Sequence, residues 1–356
     1  MRIWQVVSSL GSGGAEVFAA DLAIALAEAG QDSGMAVLSE AAAMGDASGM
    51  ESANRARLEA AGVTVEMIGH SARRRVLPAA WRLGRVLRAA RPDLVHCHLK
   101  IGLLMLAAWR GPVVATHHTT PLHRPHWLMR LLSRRARAYI GISEQAVANL
   151  RSVSTCPVHL IRNGIDFRRL SGSDAPVALG QGVSVLSLGN LRLAKNYPHL
   201  VEIAARTGPD LSFHIAGEGD QRPAIEARIA ALEMQGRVTL LGARSDAAAL
   251  LAGADVYLLT SSWEGMPIAL LEALHAGLPV IASDVGGVPE ILGRDGRAAC
   301  LVAPEDTQGF ADALDALAAD PARRAAMGAA ARARAAAFSI TTTAEAHLAL
   351  YRSVLA

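Results

Sequence analysis

The sequence is poor in cysteine and in aromatic residues. Phe, Trp and Tyr together make up 4% of its 356 residues, and there are three cysteines. Cys97, Cys156 and Cys300 form an odd, widely separated set without a CxxC pair, which argues against a disulfide framework or a zinc ribbon and favours reduced thiols in a cytoplasmic protein. No uninterrupted apolar run reaches about 18 residues, so we predict no transmembrane helix. The opening MRIWQVVSSL is also too short an apolar run for a signal peptide.

Excess charge of either sign is absent too, because the formal net charge is only +3. Nucleic acid is therefore not required as a partner. Apolar residues make up 51% of the chain, which excludes a disordered protein. A chain of 356 residues exceeds the size at which one hydrophobic core stops growing, so we expect two domains.

Predicted strands and helices alternate in both halves of the chain, which is typical of an α/β protein with parallel sheets. The first half begins with a strand at 2–10, the turn GSGG and a helix at 15–30. Its further strands are predicted at 62–68, 93–98, 112–117 and 138–143. Gly, Ser and Pro interrupt the pattern at 169–182, which we interpret as a linker. In the second half the strands are VSVLSLG (183–189), LSFHIAG, RVTLLG, ADVYLLT, LPVIAS and AACLV.

Residues 261–282, SSWEGMPIALLEALHAGLPVIA, carry the most informative pattern of the chain. The preceding ADVYLLT reads as a buried parallel strand, so the segment leaves the carboxyl end of a strand, where open α/β sheets bind ligands. Pro267 predicts the start of a helix, with Glu264 on the loop before it and Glu272 on the helix. The backbone N–H groups of Gly265, Met266 and Ile268 would cluster at that helix N-terminus, which favours anionic or hydroxyl-rich ligands.

The same string, continued through Ser283, Asp284, Val285, Gly286, Gly287, Val288, Pro289 and Glu290, resembles the donor-binding segment of the family-4 retaining glycosyltransferases, which have the GT-B fold. The resemblance implies two Rossmann-like doubly wound domains facing each other across a cleft. We expect an acceptor-side domain at 1–170, a nucleotide-sugar domain at 171–340 and a helix at 341–356 that crosses back to the first domain. By the family pattern, Glu264 holds hydroxyls of the sugar and Glu272 holds the ribose of the donor.

Two positions of the first half also match the family. Gly11, Gly13 and Gly14 lie in GSGGAE at a strand-to-helix turn, where the absence of Cβ atoms lets a ligand approach backbone N–H groups. An ordinary tight turn would look the same, but the resemblance places Gly14 near the donor phosphates and the acceptor. His118, two residues after Thr116 at a predicted strand end, matches the family histidine that approaches the donor sugar, and its alternative is a histidine that only shapes the loop.

The second half supplies candidate contacts for a diphosphate in LGNLRLAKNYPHL (188–200). A departing diphosphate needs cations, and Lys195 fits the family position. Where the family usually has an arginine directly after the glycine, this chain has Asn190, and Arg192 is the nearest replacement, although a surface arginine is a fair alternative. GEGD (217–220) and LGARSD (241–246) follow strands, and the resemblance places Gly217, Gly219 and Arg244 nearest the nucleotide base.

Histidines cluster at His96, His98, His117, His118, His123 and His126, and two at i and i+2 on a strand face the same side. A zinc site would need more than this, since there is no HExxH and no cysteine pair, so we predict no metal. Residues 123–138 alternate apolar residues with arginine and predict a basic amphipathic helix. With Arg73, Arg74 and Arg75, this helix favours weak peripheral contact with an anionic membrane, although a core-facing helix with a solvated arginine face would look alike.

The pattern as a whole implies a metal-independent, retaining glycosyltransferase without a cofactor. It would move a sugar from a UDP- or GDP-linked donor to a glycan or lipid-linked acceptor, in cell-envelope polysaccharide or glycolipid synthesis. One alternative is a nucleotide-sugar epimerase or phosphorylase on a related fold, which the spacing of Glu264 and Glu272 disfavours. The other is a catalytically silent subunit that only binds the sugar nucleotide.

Overall fold

The computed structural model describes residues 1–46, 49–69, 76–98, 102–118, 126–171 and 175–356. It divides into two compact units. Unit 1 comprises Met1–Gly164 and Ile340–Ala356, and unit 2 comprises Ile165–Ser339. The boundaries expected from the sequence lay at 170/171 and 340/341, so the end of the first predicted domain, including Arg169, belongs to unit 2. His123, Arg73, Arg74, Arg75, the first three residues of the predicted basic helix and part of the predicted linker lie outside the described residues.

Unit 1 is built on a parallel sheet that has seven strands within the described residues, in the order β3-β2-β1-β4-β5-β6-β7. Its strands are β1 (Arg2–Val7), β2 (Asp32–Val37), β3 (Thr64–Met67), β4 (Leu94–Cys97), β5 (Val113–His117), β6 (Ala138–Gly141) and β7 (Val158–Leu160). The helices between them are α1 (Gly14–Glu28), α2 (Met50–Ala60), α3 (Val76–Ala90), α4 (Gly102–Met105), α5 (His126–Ser133) and α6 (Glu144–Arg151). Short 3₁₀ turns occupy Ala42–Met44 and Leu106–Ala108.

Helices cover both faces of this sheet, so its central strands are buried and mostly apolar on both sides. On one face, Leu83 and Leu87 of α3 pack with Val95 and Cys97 of β4. On the other face, Ala23 of α1 belongs to a cluster that includes residues of β1, β2 and α2. The alanine-rich sequence of α1 permits this close packing, since ten consecutive residues from Val17 to Leu26 are buried.

Unit 2 repeats the arrangement with a parallel sheet in the order β10-β9-β8-β11-β12-β13. The strands are β8 (Val183–Leu188), β9 (Leu211–Ala216), β10 (Val238–Gly242), β11 (Val256–Leu259), β12 (Val280–Ser283) and β13 (Ala299–Val302). The helices are α7 (Tyr197–Ala204), α8 (Arg222–Ala231), α9 (Ala247–Ala252), α10 (Ile268–Ala276), α11 (Val288–Leu292), α12 (Thr307–Ala319) and α13 (Pro321–Ala335), with 3₁₀ turns at Phe167–Leu170, Leu193–Lys195 and Ala336–Phe338. The chain then returns to unit 1 as α14 (Ile340–Leu355), which packs against α1.

The predicted α/β class is confirmed, and each predicted strand overlaps an observed one. Two strands of unit 1 were not predicted. The sequence of β2, DSGMAV, combines Gly and Ser with few β-branched residues, yet it is buried after its first residue because it lies between β1 and β3. The other, β7, has only three residues. Tertiary pairing overrode weak local signals at both places.

None of the described helices is long and apolar enough to cross a membrane.

Candidate functional site

The loops that follow β8 and β11 are joined at the carboxyl edge of the sheet in unit 2. The N–H of Ser262 donates to the carbonyl of Ala194 at 2.8 Å, and the hydroxyl of Thr260 donates to the carbonyl of Lys195 at 3.2 Å. All strands of this sheet are parallel, so their carboxyl ends lie at the same edge, where α/β proteins place ligands. These two hydrogen bonds bring the predicted Lys195 and Glu264 together.

Lys195 and Glu264 form an ion pair, with Nζ 2.7 Å from Oε1. The hydroxyl of the buried Ser261 donates to the same carboxylate oxygen at 2.7 Å. The side chains are 19% and 12% exposed, so both charges are partly removed from water but still accessible from the edge of the sheet. A cation and a hydrogen-bond acceptor therefore lie side by side, as a ligand that carries both phosphate and hydroxyl groups would need.

The second predicted carboxylate, Glu272, points into the protein and not into solvent. It is 7% exposed, and its Oε1 accepts a hydrogen bond from the guanidinium of Arg169 at 2.7 Å. Arg169 belongs to the 3₁₀ turn Phe167–Leu170, which is held against α10 by stacking of Phe167 on His275, with ring centroids 4.3 Å apart. Sequence analysis assigned Arg169 to a linker and missed this contact, because no local pattern connects it with a glutamate so distant in the chain.

The N-terminus of α10 offers backbone groups and little else. Pro267 is the N-cap residue, with φ −69° and ψ 121°, and its side chain provides no cap. Met266 and Ile268 are 4% and 6% exposed, so their side chains belong to the core. Any role of these residues and of Gly265 in binding would have to come from the backbone, as predicted from the sequence.

Gly217 and Gly219 permit two loops to touch. Gly217 has φ +150°, and a Cβ added there would lie 2.0 Å from the carbonyl oxygen of Gly189. A Cβ at Gly219 would lie 2.3 Å from the carbonyl oxygen of Leu191. The N–H of Leu191 donates to the carbonyl of Glu218 at 2.9 Å, so the loops after β8 and β9 form one unit. Close packing is therefore enough to explain both glycines.

The two predicted arginines of unit 2 differ in their surroundings. Arg192 is the exposed residue before the 3₁₀ turn that carries Lys195, and within the described residues its side chain has no ion pair. Arg244 pairs with Asp246 two residues later, Nε to Oδ1 at 2.7 Å, and this contact holds the pKa of the Asp246 carboxyl below its usual value. Arg244 therefore already has a counter-ion, whereas Arg192 is open to a ligand.

In unit 1 the glycine-rich turn wraps around carboxylates of the protein itself. Both the N–H and the hydroxyl of Ser12 donate to Oδ2 of Asp46, the hydroxyl at 2.9 Å. A Cβ at Gly11 would lie 2.1 Å from the same oxygen. Gly14 is the first residue of α1, and Glu16 in the same turn accepts a hydrogen bond from Ser8. The sequence predicted donors here for an external ligand, and it missed Asp46, which uses one of them.

His118 follows β5 and is joined to a chain of buried polar side chains. Its Nε2 lies 2.9 Å from Nδ1 of His98, whose Nε2 lies 2.6 Å from Oε1 of Gln5. An amide oxygen only accepts, so His98 carries its proton on Nε2, and its Nδ1 accepts from Nε2–H of His118. Nδ1 of His118 is then unprotonated, and it is buried with no partner in the described part of the chain. Burial lowers the pKa of His118 to about 3, so its ring is neutral.

A second branch of buried side chains adjoins the first. His96 lies 2.7 Å from Thr116 and 2.6 Å from the hydroxyl of Tyr351, and its ring centroid is 4.1 Å from that of His98. The expectation that the His96 and His98 imidazoles share one side is thus confirmed. His347 and Tyr351 come from α14 and were not predicted as site residues. The described residues contain no group of three or more potential metal ligands placed to hold an ion.

Comparisons with known proteins cover nearly the whole chain. The family model described as glycosyl transferases group 1 matches residues 178–334, and that described as glycosyltransferase family 4 matches residues 12–169. The alpha-maltose-1-phosphate synthase of Mycolicibacterium smegmatis is 29% identical over 319 residues, covering 77% of this chain and 82% of that protein. The D-inositol 3-phosphate glycosyltransferase of Nocardia farcinica is 30% identical over 302 residues, covering 74% and 67%.

Among solved structures, Anabaena HepE in complex with UDP and glucose superposes with a TM-score of 0.82. The match covers 99% of this chain and 100% of that protein, at 19% sequence identity. At that identity the likeness shows the fold, which is GT-B.

Proposed function

Because the chain belongs to the family-4 glycosyltransferases of GT-B fold and is thus a glycosyltransferase itself, we propose that it transfers a sugar with retention and without a metal ion. The donor is a sugar linked to UDP or GDP. The acceptor is a glycan or a lipid-linked molecule of cell-envelope polysaccharide or glycolipid synthesis. The names of the relatives support this assignment, since they include a mannosyltransferase that acts on phosphatidyl-myo-inositol.

The contact between Lys195 and Glu264 is the single observation that carries the proposal. When the bond from the sugar to the diphosphate breaks, negative charge accumulates on the diphosphate, and the ammonium of Lys195 stabilises it. Glu264 accepts hydrogen bonds from hydroxyls of the same sugar. The acceptor oxygen forms the new bond on the face that the diphosphate leaves, and the acceptor proton passes to the departing phosphate. No nucleophile of the enzyme is needed for this course.

The remaining residues of the site bind the nucleotide. Glu272 holds the ribose, Arg192 adds charge near the diphosphate, and the N–H groups of the first turn of α10 face phosphate oxygens. Gly217, Gly219 and Arg244 line the side of the base. In unit 1, His118 approaches the donor sugar with a neutral ring.

Lysine labelling tests the central contact directly. Lys100 and Lys195 are the two lysines of the sequence. After reaction with an amine-reactive reagent, mass spectrometry therefore measures the labelled fraction of Lys195 separately, with Lys100 as the internal reference. We expect a nucleoside diphosphate to protect Lys195 and to leave Lys100 unchanged. Equal labelling of Lys195 with and without saturating nucleotide would remove the assignment.

Stereochemistry and metal dependence need separate measurements. The anomeric coupling constant of the first-formed product, measured by NMR, should match that of the donor, and an inverted product contradicts retention.

Activity should survive EDTA because Lys195, Arg192 and a helix N-terminus supply the positive charge. Loss of activity in EDTA that Mn²⁺ or Mg²⁺ restores would contradict metal independence.

The donor base is identified by thermal shift, since a ligand that binds the folded state raises its stability. HepE binds UDP, so uridine nucleotides are the first to compare with guanosine nucleotides. The nucleotide that raises the unfolding temperature more at equal concentration identifies the base of the donor.

Contact with an anionic membrane is part of the proposal. Helix α5 buries Met129 and Leu132, whereas Trp127 is 68% exposed and Leu131 is 53% exposed. These two exposed residues form an apolar surface that does not pack in the core. Exposed aromatic and aliphatic side chains near Arg130 are typical of helices that lie on a bilayer surface. Flotation with anionic vesicles should fall for Trp127→Ala/Leu131→Ala, and equal flotation of variant and parent would contradict this contact.

A further inference from the structure

Unit 1 contains a pocket at the edge of its sheet opposite to His118. It has a volume of about 430 Å³ and is formed where the chain enters β5, β6 and β7. Gly111 lies before β5, Arg137 directly before β6 and Pro157 directly before β7. The strands are parallel, so this is their amino edge. Neither the family pattern nor the proposed reaction assigns a role to it.

The pocket concentrates positive charge. Arg110, Arg134, Arg135 and Arg137 line it, together with Thr155 and Cys156, and no carboxylate does. Within the described residues none of these four arginines forms an ion pair. The other end of the same edge differs, because Arg2 pairs with Asp32 at 2.5 Å and its N–H donates to Asp93 at 2.7 Å. At the amino ends of β1 and β2, carboxylates therefore neutralise the positive charge. At the amino ends of β5, β6 and β7, the positive charge of the arginines is not neutralised.

Arg135 is the arginine of the pocket whose charge is least well compensated. Its side chain is partly buried, and burial lowers the pKa of its guanidinium from the ordinary value. The contact of its Nη2 with the carbonyl of Leu106 is 3.5 Å long, at the limit of a hydrogen bond. An arginine remains charged under these conditions, so the site holds a partly desolvated cation without a counter-ion. A bound anion would supply both the charge and the missing hydrogen bonds.

Neutral groups around the arginines are suited to binding and not to reaction. Thr155 contributes a hydroxyl that lies 2.9 Å from the hydroxyl of Ser133. The indole Nε1 of Trp109 is buried without a partner, and its ring lies against Gly111, which lines the pocket. Burial raises the pKa of the Cys156 thiol, which disfavours the reactive thiolate.

We propose that this arginine pocket binds a phosphate-bearing anion, either a free phosphate or diphosphate or the phosphate of a lipid headgroup. Guanidinium groups bind phosphate oxygens in pairs of parallel hydrogen bonds, which makes arginine the preferred residue for such ligands. The volume lies in the range of about 300–1,000 Å³ that small-molecule sites occupy. The site is independent of glycosyl transfer, because it uses the edge of the sheet opposite to the one that carries His118.

The test compares two double variants that remove the same charge. R134Q/R137Q removes two exposed arginines of the pocket and spares the partly buried Arg135. R323Q/R352Q removes two exposed arginines on α13 and α14 and serves as the control. Thermal unfolding first establishes that all three proteins are folded. Calorimetric titration with inorganic diphosphate should then show a site in the wild type and in R323Q/R352Q that R134Q/R137Q binds at least about tenfold more weakly.

A second arm separates the two sources of the anion. Flotation is measured with vesicles of phosphatidylcholine alone and of phosphatidylcholine with phosphatidylglycerol. A lipid headgroup is the ligand if the wild type floats with the anionic vesicles, diphosphate displaces it and R134Q/R137Q does not float. A free anion is the ligand if diphosphate binds as above and R134Q/R137Q floats as well as the wild type, since the vesicles are then held by the exposed apolar residues of α5 and not by the pocket.

The proposal is overturned if R134Q/R137Q and R323Q/R352Q bind diphosphate and vesicles equally. Binding of diphosphate at the donor site would be the same in all three proteins, so it does not obscure the difference. The affinity for UDP should also be equal in all three, and a failure of the pocket therefore leaves the assignment of the donor site untouched.

Discussion

The carboxyl edges of the two sheets share a topology and differ in their electrostatics. In unit 2 the edge carries ion pairs, Lys195 with Glu264, Arg169 with Glu272 and Arg244 with Asp246. In unit 1 the ends of β4 and β5 carry neutral side chains joined by hydrogen bonds, among them His96, His98 and His118. Parallel strands provide a carboxyl edge in both units, and the side chains at that edge decide whether it is charged or neutral.

The difference follows from burial. The ion pairs of unit 2 retain some exposure, so their charges remain partly hydrated and can be exchanged for those of a ligand. The histidines of unit 1 lie under Phe18 and α14, where a charged imidazole would lose its hydration, and burial accordingly lowers the pKa of His96 and His98 well below the ordinary value. We expect mutations in unit 2 to act through charge and those in unit 1 through the placement of single protons.

The largest effect is expected for Glu264→Gln. The amide keeps an oxygen that can accept from Lys195 and Ser261, so the fold should be retained. The charge-assisted bonds to the sugar are lost, which should lower kcat about 10²–10³-fold while nucleotide affinity stays nearly unchanged. Initial rates and calorimetry measure the two quantities. Glu226→Gln, which breaks an exposed pair with Arg222, is the control and should retain activity.

Next in size is the effect of Glu272→Ala on nucleotide affinity. Removal of the ribose acceptor should weaken binding of both donor and free nucleoside diphosphate about tenfold or more. It also leaves Arg169 without its carboxylate partner, and stability should fall by about 1–3 kcal/mol.

A double-mutant cycle with Arg169→Met separates these two roles. Urea unfolding should show strong coupling between the two positions. Calorimetry with the nucleotide should show a loss in each variant that lacks Glu272. If stability falls while nucleotide affinity is unchanged, Glu272 is only the partner of Arg169 and the ribose assignment is wrong.

A smaller effect is expected from Gln5→Leu, which tests whether unit 1 acts through the placement of protons on its histidines. Without the Oε1 acceptor, His98 is free to carry its proton on either nitrogen, and His118 loses its fixed Nε2–H tautomer. Histidine ¹⁵N NMR should show one tautomer of His118 in the parent and a mixture in the variant. We expect kcat to fall about tenfold with nucleotide affinity unchanged. A mixture already present in the parent would contradict the assignment.

The last prediction concerns stability in acid, to which four buried histidines contribute separately. Burial lowers the pKa of His96, His98, His118 and His347, the last two to about 3 and about 4, below the value of about 6.5 of an unfolded histidine. The unfolded chain therefore binds more protons, so the stability that neutral histidines provide is present above about pH 6.5 and is lost as the pH falls toward 4 and 3.

Urea unfolding at several pH values measures this loss. Each histidine should contribute at most about 1.4 kcal/mol per pH unit below pH 6.5. The variant His347→Gln should have a shallower slope because one titrating group is gone. A stability that is level between neutral pH and about pH 4 would contradict the lowered pKa values of these histidines, because the folded and unfolded chains would then bind protons equally.

The sequence by itself determined the architecture and the family. Apolar runs bounded by glycine and proline placed the strands other than β2 and β7, and the helix after Pro267 begins where its sequence predicted, because these signals are local. The string from Ser261 to Glu290 predicted Glu264 and Glu272 as site residues for the same reason, since the loop and its helix are contiguous in the chain.

Only the tertiary structure decided what those carboxylates touch. The contact of Arg169 with Glu272 joins residues 103 positions apart, and that of His96 with Tyr351 joins residues 255 apart. Asp46 reaches the glycine turn in a similar way, and the four arginines of the pocket meet because β5, β6 and β7 are neighbours in the sheet. Periodicity and motif spacing report on neighbours along the chain, whereas the counter-ion and the tautomer of a side chain are set by neighbours in space.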